Sequence, residues 1–191
     1  MALSFPELLE RFFYRPDEDL TGLEAFESLP DDATVPVADE RPMDFLGFRL
    51  EGEAFAVPIE KVREILRVGV LTEVPRGGPH LLGVLTLRGE VTPIYDLKPR
   101  LSLTEKAPYI AGPLGELNPL PREARILVLR SEEGPAGVLV DGVDGVVPLM
   151  PSAVEPPPRL WTGPVSEWVT GLGRREGQLY ILLDVERALA G

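Results

Sequence analysis

From Phe45 onward the chain is cut into short runs in which apolar and polar residues alternate, the period of a strand that buries one face. Phe45-Leu46-Gly47-Phe48-Arg49-Leu50 passes through the turn signal Glu51-Gly52-Glu53 into Ala54-Phe55-Ala56-Val57-Pro58-Ile59, which predicts a β-hairpin. Gly83-Val84-Leu85-Thr86-Leu87 and Val91-Thr92-Pro93-Ile94-Tyr95, joined by Arg88-Gly89-Glu90, predict a second. Pro93 has no N–H to give to a ladder and points to an edge or bulged position. Residues 125–129 with 137–140, and 169–172 with 179–183, make two more hairpins. Only 60–68, after Pro58, and 184–189 have the spacing of short helical turns.

The runs repeat. At an offset of 81, Val57, Ile59, Val62 and Ile65 fall on Val138, Val140, Val143 and Val146. At an offset of 88, Gly83, Gly89, Ile94, Asp96 and Leu97 fall on Gly171, Gly177, Leu182, Asp184 and Val185. Two half-domains of about five strands are expected. Strands so short and few cannot build an open sheet with two covered faces, so closure into two small barrels is predicted, which also hides the edges.

Ahead of residue 44 the period changes from 2 to that of a helix. Ser4 and Glu7 form a capping box, and Phe5, Leu8, Leu9, Phe12 and Phe13 follow at i, i+3, i+4, i+7 and i+8, predicting a short amphipathic helix that ends before Pro16. Thr21 with Glu24 opens a weaker one carrying Leu23, Phe26 and Leu29, and the acidic, proline-bearing stretch 30–43 reads as a solvated linker. Helices this short need packing to be ordered. The expectation is an arm over 1–43 whose apolar face either docks on the chain's own barrel or seizes a partner or a neighbouring copy, and a globular domain over 44–191.

Charge supports that division. Residues 1–43 carry 11 acids and 3 bases, net −8, and 44–191 carry 20 acids and 16 bases, net −4, together the −12 of the 191-residue chain. A pI near 4.6 speaks against a basic groove for nucleic acid or a polybasic membrane surface, both of which need Lys and Arg to meet phosphates. No apolar run approaches the roughly 20 residues of a membrane span, and the first residues lack a secretory leader, so the expected location is cytoplasmic. With no cysteine and one histidine, disulfides, thiolate catalysis and the common zinc sites drop out; no metal and no cofactor is expected.

No catalytic residue stands out. His80 sits in a turn-rich segment without a recognisable nucleophile beside it, and Asp96, Asp141, Asp144 and Asp184 lie at strand ends, where a carboxylate usually accepts from turn amides. The glycine turns at 76–78 and 171–173 lack the lysine and helix start of a phosphate loop. A binding module is expected, with function on barrel rims and in the seam between barrels.

Four segments in order then carry a resemblance: FRLEGEAFAVPIEKVREIL, VPRGGPHLLGVLTLRGEVTPIYDL, GVLVDGVDGVV and WVTGLGRREGQLYILLDVERAL. Over Phe45 to Leu189 the chain resembles the CheW family of chemotaxis coupling proteins, most strongly where the LRG turn meets the PIYDL strand. The resemblance implies an all-β fold of two SH3-like five-stranded β-barrels packed side by side and intertwined, and a non-enzymatic adaptor. Its implied partners are a chemoreceptor's cytoplasmic tip and a CheA-type histidine kinase, with recruitment to receptor arrays at the membrane. It marks Val62, Glu64, Ile65, Gly83, Arg88 and Gly89 as receptor- or kinase-binding positions. Val62 and Ile65 would share one face of a helical turn, and Arg88, at a hairpin tip, would hold a carboxylate or carbonyls with its guanidinium fork. Thr86 stands where the family usually has Asn, and the arm has no counterpart in a minimal member. An alternative reading is a paralogue that tethers a different partner through its arm.

Overall fold

The computed structural model describes residues 41–78, 80–103, 120–158 and 164–189. The arm positions Phe5, Leu8, Leu9, Phe12 and Phe13 lie outside the described residues. The strands are β1 (Met43–Leu50), β2 (Glu53–Pro58), β3 (Val62–Arg67), β4 (Leu81–Leu87), β5 (Glu90–Tyr95), β6 (Arg125–Ser131), β7 (Gly134–Val140), β8 (Gly142–Leu149), β9 (Val154–Glu155), β10 (Val169–Arg175) and β11 (Gln178–Leu183). Two short helices, α1 (Pro164–Trp168) and α2 (Val185–Leu189), complete the described elements with 3-10 turns at Ile59–Lys61 and Pro151–Ala153.

Two-residue turns at positive φ close three of the hairpins: Glu51 and Gly52 (48° and 86°), Arg88 and Gly89 (53° and 87°), Glu176 and Gly177 (50° and 81°). Two such residues in succession twist the way antiparallel strands twist, which is why an X-Gly pair is favoured there.

The strands form two sheets, in the orders β8-β1-β2-β11-β10-β9 and β3-β6-β7-β5-β4. Each sheet curls back on itself by the same device. In the second, the chain beyond β3 crosses to the far edge, where Thr72 and Val84 of β4 exchange hydrogen bonds of 2.9 and 2.8 Å. In the first, the chain beyond β8 turns at Pro151–Ala153, and β9 pairs with β10.

Laid over the repeat, the topology is a swap. The first repeat supplies β1 to β5 and the second β6, β7, β8, β10 and β11. Each barrel takes its first two strands from one repeat and its last three from the other. The joins are the parallel pairs β2 with β11, where Ala56 meets Leu182, and β5 with β7, where Ile94 meets Gly137. Offsets of 81 and 88 carry one pair onto the other.

Each barrel has its own core: Phe45, Ala56, Val147, Leu149 and Leu182 in the first, Leu71, Leu82, Ile94, Ile126, Val128 and Leu139 in the second. In β1, β2, β6 and β7, runs of consecutive buried residues mean that both faces are covered, one by the barrel interior and the other by the neighbouring barrel. Phe48 and Phe55, stacked with centroids 6.0 Å apart, belong to that second layer.

Three expectations are corrected. The helical turn over 60–68 is confined to Ile59–Lys61, and Val62–Arg67 is strand. Pairing with the apolar β6, Val62 against Leu129 and Ile65 against Leu127, outweighs the local period, as tertiary context does for β-branched residues. β8 is a full strand that no alternation announces, because Gly142, Gly145 and Pro148 interrupt its pattern. Pro93 lies in a central strand rather than at an edge; the ladder from β5 to β7 covers only Ile94 and Tyr95, so no bond to β7 is required of Pro93.

Candidate partner-docking site

Of the candidate positions, Glu64 and Arg88 meet where the edge strand β3 faces the β4–β5 hairpin, while Gly83 lies toward the other end of β4, against Thr72. Arg88 occupies the hairpin tip, three-quarters exposed, and its Nη2 lies 3.5 Å from Oε2 of Glu64. Alongside, Arg63 Nη1 donates to Glu90 Oε2 at 2.7 Å. Glu64 is mostly covered, and its second oxygen, Oε1, is buried with no hydrogen-bond partner among the described residues. Ile65, the next residue along β3 and so on the opposite face from Glu64, leaves 44% of its surface exposed, while Val62 is half-buried. Sequence spacing could not place Glu64 against Arg88, 24 residues away; the barrel's closure does.

The two glycines have different duties. Gly89 faces open space and serves the turn's φ. Gly83 sits at φ 150° beside a bulge, and a Cβ there would stand 2.7 Å from the carbonyl oxygen of Thr72, so its lack of a side chain lets the closing segment approach β4.

Two open grooves run beside this surface. One, of about 420 Å³, has Val91, Pro93, Tyr95 and Leu189 among its walls and is rimmed by Glu90, Glu132, Glu133 and Glu186. The other, of about 210 Å³, is lined by Pro58, Leu183 and Val185 with Lys61, Arg130 and Glu186. Glu186 borders both, and Lys61 Nζ meets it at 2.6 Å. A third feature is the second barrel's mouth, where Leu66, Val68, Leu85, Leu87 and Leu120 pack on the core only partly covered, near the exposed Val70 and Val74. Single-strand patterns miss these surfaces because each draws on both repeats or on several strands.

The polar residues at strand ends are committed to local structure. Asp96 accepts from the Lys98 N–H at 3.0 Å, Asp141 from Glu51 N–H at 2.7 Å, Asp184 from Arg187 N–H at 3.2 Å, and Asp144 takes the Arg49 guanidinium at 2.8 Å. Burial raises the Asp96 carboxyl above its ordinary value despite Lys98. His80 is shifted the other way, by desolvation first and by Arg100 second, and its Nδ1 is buried without a hydrogen-bond partner among the described residues. Among the described residues no nucleophile is hydrogen-bonded to it.

The sequence model of the CheW-like domain matches residues 44–191. The chain belongs to the CheW family. This CheW-like chain is 29% identical to the chemotaxis protein CheW of Klebsiella aerogenes over 147 residues, 77% of this chain and 81% of that protein. It is 36% identical to the protein FrzA of Myxococcus xanthus over 122 residues, 63% and 69% of the two chains. Among solved structures, the scaffolding protein TtCheW from Thermoanaerobacter tengcongensis superposes with a TM-score of 0.67 at 23% identity, over 78% of this CheW-like chain and 94% of that one, and has its two-barrel fold.

Proposed function

We propose that this chain is a non-enzymatic adaptor that couples the cytoplasmic tip of a chemoreceptor to a CheA-type histidine kinase. The observation that carries this reading is that one two-barrel body has two unlike surface features, an acid-rimmed groove and a partly covered leucine cluster. The acid-rimmed groove, with Val91, Pro93, Tyr95 and Leu189 among its walls, is the surface we assign to a receptor helix, in the helix-in-groove mode. The leucine-lined mouth of the second barrel suits the end of another small barrel, such as a kinase regulatory domain would offer. Arg88, with Glu64 beside it, is the charged anchor of this reading. The names of the relatives, chemotaxis protein and scaffolding protein, support the same reading. Recruitment to receptor arrays follows from binding the receptor; no helix of the described residues is long and apolar enough to cross a membrane.

A pull-down with purified kinase regulatory domain and receptor tip tests it. Both binary complexes and a ternary complex are expected at tens of micromolar or below, about −6 kcal/mol or tighter. Absence of both binary complexes refutes the adaptor. The family match begins at residue 44, so the arm is extra to the shared domain and favours a second role in tethering a partner or a neighbouring copy. Altered assembly with unchanged thermal stability after deletion of residues 1–29 would support that role.

A further inference from the structure

The repeat makes two junctions where the chain passes between barrels, and each holds one lysine among carboxylates. At one, Lys98 follows β5 of the second barrel, Asp141 lies on the crossover from β7 to β8, and Glu51 is in the β1–β2 turn of the first barrel. Lys98 Nζ stands 2.5 Å from Asp141 Oδ1 and 3.6 Å from Glu51 Oε1. Asp141 grips the same turn twice more, accepting the Glu51 N–H at 2.7 Å and donating its own N–H to the Arg49 carbonyl at 2.9 Å. At the other junction, offset 88 carries Lys98 onto Glu186, and offset 81 carries Glu51 onto Glu132 and places Lys61 one residue past the counterpart of Asp141. There Lys61 meets Glu186 at 2.6 Å and feels Glu132. The lysine has changed places with a carboxylate, and burial differs sharply: Lys98 is 2% exposed and Lys61 47%.

That difference has a physical consequence. An exposed pair can exchange either partner for water or for a charge on a bound protein, and salt screens it. A lysine sealed from water has no such substitute, so the groups that meet it must stay where they are. The buried junction joins a turn of one barrel to the strand exit of the other.

We propose that Lys98 is a positioning residue for coupling: its buried pair with Asp141, backed by Glu51, pins the two barrels at one fixed geometry, so that partners on the groove and on the barrel mouth are held at a set separation. The coupling half of this statement rests on the adaptor reading; the pin does not.

The chain has no cysteine, so Glu123→Cys before β6 in the second barrel and Glu176→Cys at the β10–β11 turn of the first can carry two spin labels without background. The distance distribution between them is compared in the parent, in Lys98→Met, and in Lys98→Met with Asp141→Asn. The last removes both charges and stays folded if the single change does not. A narrow distribution is expected in the parent and a broader or displaced one in the double variant. With unlabelled protein, each binary affinity should stay within about 3-fold while receptor-dependent stimulation of the kinase falls about 10-fold, the size of an ordinary coupling between sites. An unchanged distribution overturns the pin whatever the partners do, and a changed distribution with full stimulation overturns its role in coupling. Failure of the parent itself to bind either fragment overturns the adaptor reading and the coupling role with it, leaving the distances to decide the pin.

Discussion

Arg88→Ala separates a docking residue from a structural one, because the structure assigns the two possibilities different sizes. Both residues carry a Cβ, so the positive φ of 53° at the hairpin tip is no harder to hold after the change. The pair that is lost spans 3.5 Å with Arg88 75% exposed, a class that contributes about 0.2–1 kcal/mol. For a domain of this size that is a fall in melting temperature of under about 4 °C. A guanidinium that meets a partner's carboxylate or carbonyls is worth about 1.5–3 kcal/mol, or roughly 10- to 150-fold in Kd. Scanning calorimetry and titration calorimetry against the kinase regulatory domain and the receptor tip read the two effects independently. Arg88→Lys keeps the charge but not the fork, and should fall between wild type and Ala. Binding of both fragments within about 2-fold of wild type by Arg88→Ala, against the expected loss, would return Arg88 to a solubilising turn residue. A drop in melting temperature beyond about 10 °C would show that the Glu64 contact is structural instead.

Lys98→Met leaves the partly exposed Asp141 without its cation and should cost about 1.5–3 kcal/mol, measured by urea unfolding, whereas Lys61→Met, at an exposed pair, should barely move the midpoint. Gly137→Ala drives a methyl into Ile94 and Ile126, both fully buried; it should cost about 1–3 kcal/mol, and adding Ile94→Val should recover part of that, a non-additivity visible in a double-mutant cycle. Burial holds His80 below its ordinary value of 6.5, so its contribution to stability is complete above that value and is lost as pH falls through it toward the folded value. His80→Gln should therefore flatten the part of the stability profile that falls off as pH drops through 6.5; an unaltered profile would contradict the assignment. Asp96 has the opposite sign, since a carboxyl raised by burial destabilises the fold above its folded value and is relieved by acid.

Local chemistry was legible in the sequence and long-range pairing was not. Glu51-Gly52, Arg88-Gly89 and Glu176-Gly177 announce their hairpins because the turn's backbone sets a steric requirement that two residues can meet. The repeat was legible as well, since each half must bury the same positions. Its exchange of strands was not: the joins β2–β11 and β5–β7 are parallel and distant in sequence, and an apolar run such as Val138 to Val140 packs equally well in either barrel. The same blindness affected β3, where Val62 and Ile65 satisfy a helical spacing until β6 is there to pair with. At the candidate site, Val62, Glu64, Ile65, Gly83, Arg88 and Gly89 are named from the family resemblance, but the buried oxygen of Glu64 and the approach of Thr72 to Gly83 depend on closure of the barrel.

The swap also bears on how one repeated unit can serve two partners. Equivalent hairpin tips carry Arg88 on one barrel and Glu176 on the other, and equivalent strand positions carry Ile65 and Val146, exposed by 44% and 57%. Two barrels of the same shape therefore present unlike tips: Arg88 stands near Glu64, whereas Glu176 is paired with Arg175. Shape alone would let one partner bind both ends, whereas a like charge at the wrong end opposes it, which is how charge adds specificity without adding area. An adaptor that holds two different proteins at once needs such an inequality, and exchanging Arg88 and Glu176, two exposed turn residues, tests whether these tips supply it.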